Sequence, residues 1–124
     1  MKIETNKLTG HALDWAVAKS DGYLGNIRRT LFGCWQDLER TQVRDDDYTE
    51  YSPSTDWEQG GEIIERECIV TQHDRRHDLN QPWRCALSID PYNLFEGSTP
   101  LIAAMRCFVA SKLGDEIEIP EDLA

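Results

Sequence analysis

The stretch STPLIAAMRCFVASKLG (98–114) is the longest apolar run in the chain, and both of its ends are punctuated for a helix. Ser98 or Thr99 offers an N-cap oxygen to an otherwise unpaired helix N–H. Pro100 suits the first turn, where its missing donor costs nothing. Gly114 suits a left-handed stop, and the charge of Lys112 favours a helix C-terminus. Leu101, Ala104, Met105 and Phe108 recur at helical spacing, while Ile102, Val109 and Leu113 widen the stripe. A face that broad has to be covered, so 98–114 is read as the central core helix.

Outward from this helix, Trp83, Cys85, Leu87 and Ile89 alternate along 83–89, the period of a half-buried strand. The run CIVTQ (68–72) is its natural partner, across a polar connection at 73–82. Residues 90–97 form a turn-rich bridge, and 115–119 is a candidate last strand before Pro120 and the acidic tail 120–124. Cys68, His73, His77 and Cys85 carry groups that suit zinc. Their spacing matches no usual structural site, so no metal is expected, and reduced thiols account for the four cysteines.

The most unusual stretch is YSPSTDW (51–57), dense in turn formers and helix caps, with an aromatic ring at each end. Asp56 or Thr55 can cap a helix through about residue 67 that buries Ile63 and Ile64. Gly60 and Gly61 weaken that helix by about 1 kcal/mol each, so they call for a reason: close packing, or a ligand against the backbone. Within 23–44, Ile27, Leu31, Trp35 and Leu38 keep a spacing that supports an amphipathic helix, although 23–24 and 30–32 favour strands. Asp45, Asp46 and Asp47 lack the glycine and closing glutamate of a calcium loop and read as a solvated acidic loop. Thr9 caps a helix over 10–20 with apolar residues on two sides. His11 and Asp14 stand three apart on it, close enough to meet on the helix surface. Residues 2–5 are a short strand or a frayed end.

At 124 residues the chain is expected to form one domain that buries roughly two-thirds of its unfolded surface. The fold class is α+β: a small antiparallel sheet packed with three or four helices. Thirteen basic against 23 acidic residues give a net charge of −10, which disfavours binding to a nucleic-acid polymer. Nine of the 13 are arginine, so a local fork for a small anion stays open. No secretory leader pattern and no membrane-length apolar run are visible, and a cytoplasmic setting is expected. Nucleophile-elbow, phosphate-loop, zinc-protease and dinucleotide motifs are absent, so enzyme action is the minority reading and no cofactor is expected.

Four blocks, LTGHALDWAVAK (8–19), YSPSTDWEQGGEIIERE (51–67), the Trp-led strand at 83–89 and GSTPLIAAMRCFVASKLGDEIEIPE (97–121), resemble the NinX proteins of lambdoid bacteriophages and their prophage relatives. Residues 23–47 are longer than that family's usual connection and read as a variable insertion. The resemblance implies a phage accessory protein in the bacterial cytoplasm, with an α/β/α sandwich-like fold and a role in host interference or counter-defence.

Within that setting the first expectation is noncatalytic sequestration of a small anionic, nucleotide-like ligand. Tyr51 or Trp57 would stack on a ring, beside a helix start capped by Asp56. Ser54, Thr55, Thr99 and the amides of Gly60 and Gly61 would receive phosphate or hydroxyl groups, and Arg66 or Arg106 would add charge-assisted forks. The alternative is an acidic interaction protein that occupies a basic surface on a host protein, and a nucleotide-processing enzyme comes third. Self-association as a homo-oligomer is also open.

Overall fold

A computed structural model of the chain describes residues 1–22, 27–30, 33–37, 48–76 and 78–123. The helix α3 (Pro100–Leu113) forms where its punctuation places it. Thr99 Oγ1 accepts from Ile102 N–H at 3.1 Å, Pro100 occupies the first turn, and Gly114 closes the helix with φ near 91°. Leu101 and every residue from Ala103 to Val109 are buried, so the helix is covered all round rather than along one stripe.

On one side of α3 lies an antiparallel sheet of β5 (Ile69–His73), β6 (Trp83–Leu87) and β7 (Phe95–Gly97). The registers Ile69↔Leu87 and Cys85↔Phe95 put Ile69, Cys85, Leu87 and Phe95 on one face. β7 arises within the stretch read as a bridge, and it rides close on the helix. A Cβ at Gly97 would stand 2.5 Å from Ala103 N. Ile89 lies beyond the end of β6 and is 90% exposed, so the strand stops two residues short of the alternating pattern.

Against the other sides of α3 pack α1 (Gly10–Ser20) and α2 (Trp57–Arg66). Seven consecutive residues of α1, from Ala12 to Ala18, are buried, as small alanines allow close helix approach. Three helices packed with small antiparallel sheets make the α+β fold that the sequence implied, and α3 is the element that touches both the sheet and the other two helices. The chain ends meet in a second sheet of β1 (Lys2–Glu4) with β8 (Glu116–Glu118), so the C-terminal strand pairs with the N-terminus and not with β5 or β6. Thr5 ties this ribbon to the end of α3 through Thr5 N–H to Asp115 O at 2.7 Å and Thr5 Oγ1 to Gly114 O at 2.6 Å.

The amphipathic helix expected over 27–38 is corrected. The chain there forms β2 (Ile27–Thr30) and β3 (Gly33–Asp37), joined in a third antiparallel sheet by β4 (Tyr48–Glu50). Ile27 pairs with Gln36 and Arg28 with Trp35, so Ile27 and Trp35 fall on opposite faces of the sheet, and their helical spacing places them on no common face. The β-favouring residues around Gly33 and the pairing of Ile27 with Gln36 settle it as a hairpin. Asp45, Asp46 and Asp47 lie outside the described residues.

Between α2 and β5 the chain turns through Cys68, whose φ of 54° is left-handed. The side chain is exposed, so conformation rather than packing governs this position. Cys68→Val is expected to lower stability by about 1–2 kcal/mol, and Cys68→Gly to leave it unchanged or higher. Paired urea titrations check this; equal stability of the two variants would count against a left-handed junction.

Candidate functional site

The turn over residues 51–57 is built from its own hydrogen bonds. Ser52 O accepts from Thr55 N–H at 3.0 Å and Asp56 N–H at 2.8 Å, and Ser52 N–H donates to Gln59 Oε1 at 2.6 Å. Asp56 Oδ1 caps α2 by accepting from Glu58 N–H at 2.9 Å. Ser54 N–H donates to Asp14 Oδ1 at 2.9 Å, which binds the turn to α1. Asp14 is thus a buried tie between segments forty residues apart, and not the surface partner of His11 that helical spacing suggested. Gly60 N–H donates to Asp56 O at 2.8 Å as part of the helix.

The residues proposed for ligand contact fall in separate places. Tyr51 is buried in the core cluster, so its ring is no stacking platform, while Trp57 is 57% exposed. Ser54 is buried, and Thr55 Oγ1 turns back to Ser52 O at 3.4 Å. Gly60 has the packing reason: a Cβ there would fall on the Pro53 carbonyl and 2.6 Å from Leu101 Cδ2. Gly61 has no such constraint, with Trp57 Cε3 at an ordinary 3.8 Å. Thr99 is engaged as the cap of α3.

Neither arginine joins the turn. Arg66 ends α2, about 13 Å along the axis from its first residue. It forks onto Asp21 with Nη2–Oδ1 at 2.8 Å and Nη1–Oδ2 at 3.3 Å, reaches Glu67 Oε2 at 3.4 Å, and lies over the Phe108 ring. Burial works against its charge, but Asp21 and Glu67 outweigh that and hold its pKa above the ordinary value. Arg106 is buried inside the fold. Its Nε donates to Leu8 O at 2.8 Å, and its Nη1 donates to Gln81 Oε1 at 2.8 Å and Glu96 O at 2.7 Å. Burial lowers its pKa, with Glu96 acting in the opposite sense.

Among the described residues two clefts lie elsewhere, where the pattern of the sequence carried no signal because their walls come from distant segments. One, of about 230 Å³, is lined by Leu87, Ile89, Asp90, Phe95, Cys107 and neighbours; the other, of about 210 Å³, by Glu4, Asn6, Phe95, Asp115 and Glu116. Neither is lined by a basic side chain, so neither offers a charge-assisted fork to a phosphate. Burial pushes the Cys107 thiol up to about 11 and the Cys85 thiol up to about 12, which keeps both protonated near neutral pH. Cys68 and His73 flank and end β5, about 16 Å apart along the strand, too far to share one ion. His77 lies outside the described residues.

What the surface does present is the outer face of α2. Glu58, Glu62 and Glu65 follow one another at i, i+4 and i+7, all exposed and without an ion pair among the described residues, beside the exposed ring of Trp57. Ile63 and Gly60 occupy the buried face. By contrast Lys2, Lys7, Arg66, Arg84 and Lys112 are each held by an acidic neighbour.

A family model described as "Bacteriophage P22, NinX" matches residues 4–112. No curated protein matches the chain.

Proposed function

Because the chain belongs to the phage NinX family, we propose that it is a phage accessory protein that acts in the host cytoplasm by noncatalytic binding. Its target is a basic surface on a host protein, met by the outer face of α2. The observation that carries this reading is the acidic stripe Glu58–Glu62–Glu65 beside the Trp57 ring on an exposed helix face. An aromatic anchor supplies apolar contact area, and a single-sign field of net charge −10 steers a basic partner. Engagement of Arg66 and Arg106 within the fold works against sequestration of a phosphate-bearing ligand at the 51–61 turn.

The two readings separate in one experiment. Purified protein is incubated with host lysate and, in parallel, with a nucleotide panel, and both bound fractions are analysed after heat release. A host protein whose capture weakens with salt and is lost in Glu58→Lys/Glu62→Lys supports the docking face. An intact nucleotide released on heating, with no protein captured, returns the function to sequestration.

Trp57→Ala is expected to weaken partner capture by about tenfold or more, as for an interface anchor. Its stability should stay within about 0.5 kcal/mol of the parent, because the ring is largely exposed. A collapse of thermal stability would place Trp57 in the core.

A further inference from the structure

The strand β5 forms one edge of its sheet, and no strand among the described residues pairs with its outer side. Ser88 N–H donates to Cys68 O at 3.0 Å and Asp74 N–H donates to Pro82 O at 2.8 Å, so these pairs bracket the ladder between β5 and β6. Hydrogen-bonded pairs alternate in an antiparallel ladder, which turns the even-numbered residues Val70 and Gln72 toward β6. Ile69, Thr71 and His73 therefore point their N–H and C=O groups away from the sheet. None of these six groups has a partner among the described residues.

Edge strands are ordinarily blunted by charge, proline or a bulge. β5 reads IVTQH, without any of these, and Val70 is 51% exposed. Unpaired charges of opposite sign flank it. Glu65 stands in the last turn of α2, four residues before the strand, Arg75 and Arg76 lie just after it, and all three are exposed without an ion pair among the described residues.

From these observations we infer that β5 pairs antiparallel with β5 of a second copy of this chain, about a twofold axis at Thr71, an arrangement that shares only Glu65 with the docking face above. That register sets Thr71 opposite Thr71 and Ile69 opposite His73, so all six open groups are used. It sets Val70 opposite Gln72, and it carries Arg75 and Arg76 of each copy toward Glu65 of the other. Other antiparallel registers with this symmetry leave an outward residue of the strand unpaired within β5. The antiparallel direction thus matches charge as well as hydrogen bonding, in a protein whose net charge opposes self-association elsewhere.

Sedimentation velocity over a concentration series, combined with amide exchange, tests the inference on the full chain. A reversible dimer is expected, with the amides of Ile69, Thr71 and His73 gaining protection as it forms. Thr71→Pro removes only an outward donor, and it should weaken dimerisation by about tenfold or more through the loss of the two central hydrogen bonds. Thr71→Lys keeps the donor but sets two ammonium groups across the axis, and it should weaken the dimer even if the proline variant folds poorly. Arg75→Glu/Arg76→Glu should weaken it, and adding Glu65→Arg should restore it. A chain that stays monomeric up to about 1 mM would overturn the inference, as would a dimer indifferent to Thr71→Lys or one that protects amides elsewhere.

Discussion

Replacement of Gly60 by alanine is expected to destabilise the protein by about 3 kcal/mol, whereas the same change at Gly61 is expected to stabilise it by up to about 1 kcal/mol. Both glycines sit early in α2, and in both cases alanine improves helix propensity by about 1 kcal/mol. What separates them is space. At Gly60 the new methyl meets the carbonyl of Pro53 and Leu101 Cδ2. The leucine end can swing aside, but the carbonyl belongs to a turn pinned on both sides, by Ser52 O and by Ser54 N–H to Asp14. Relief requires the turn to move away from α1 and α3 together, and that overpacking outweighs the gain in propensity. At Gly61 a methyl makes ordinary contact with Trp57. Urea unfolding of the two single variants measures both signs. A stable Gly60→Ala protein would return this glycine to the other reading of its sequence, a backbone approached by a ligand.

Arg106→Met is expected to cost about 3–5 kcal/mol, a large share of the stability of a small domain. Arg106 is only 4% exposed, and its donors serve three segments: Leu8 O ahead of α1, Gln81 in the β5–β6 connection and Glu96 O in β7. Methionine roughly preserves the volume but supplies no donor, and it leaves the Leu8 and Glu96 carbonyls without this partner. Each such loss costs about 1–3 kcal/mol. Arg106→Lys keeps the charge but not the fork, so it should also destabilise, because an ammonium cannot reproduce the planar geometry that spans these acceptors. Denaturation monitored by circular dichroism measures the loss for each variant. A change below about 1 kcal/mol for the methionine variant would show that the carbonyls find other donors and that Arg106 is not the clasp described here.

The punctuation of α3 by Thr99, Pro100 and Gly114, the Asp56 cap of α2 and the alternation of Trp83, Cys85 and Leu87 were legible in the chain alone. Each is a contract between neighbours within a turn or two, and local geometry enforces it. The α+β class and the family followed from the same blocks. Periodicity failed at 27–38, where the helical spacing runs across two paired strands and only the pairing between them decides. It also failed to show that Tyr51 turns inward while Trp57 turns outward, although both flank one turn. Arg106, the one charge between Pro100 and Lys112, stood out in the sequence as a site residue. Only the tertiary structure turned it into a structural clasp, because the carbonyl of Leu8, ninety-eight residues away, comes to meet it. Caps and periods are written in adjacent residues; which polar groups converge depends on how distant segments pack, and no local pattern encodes that.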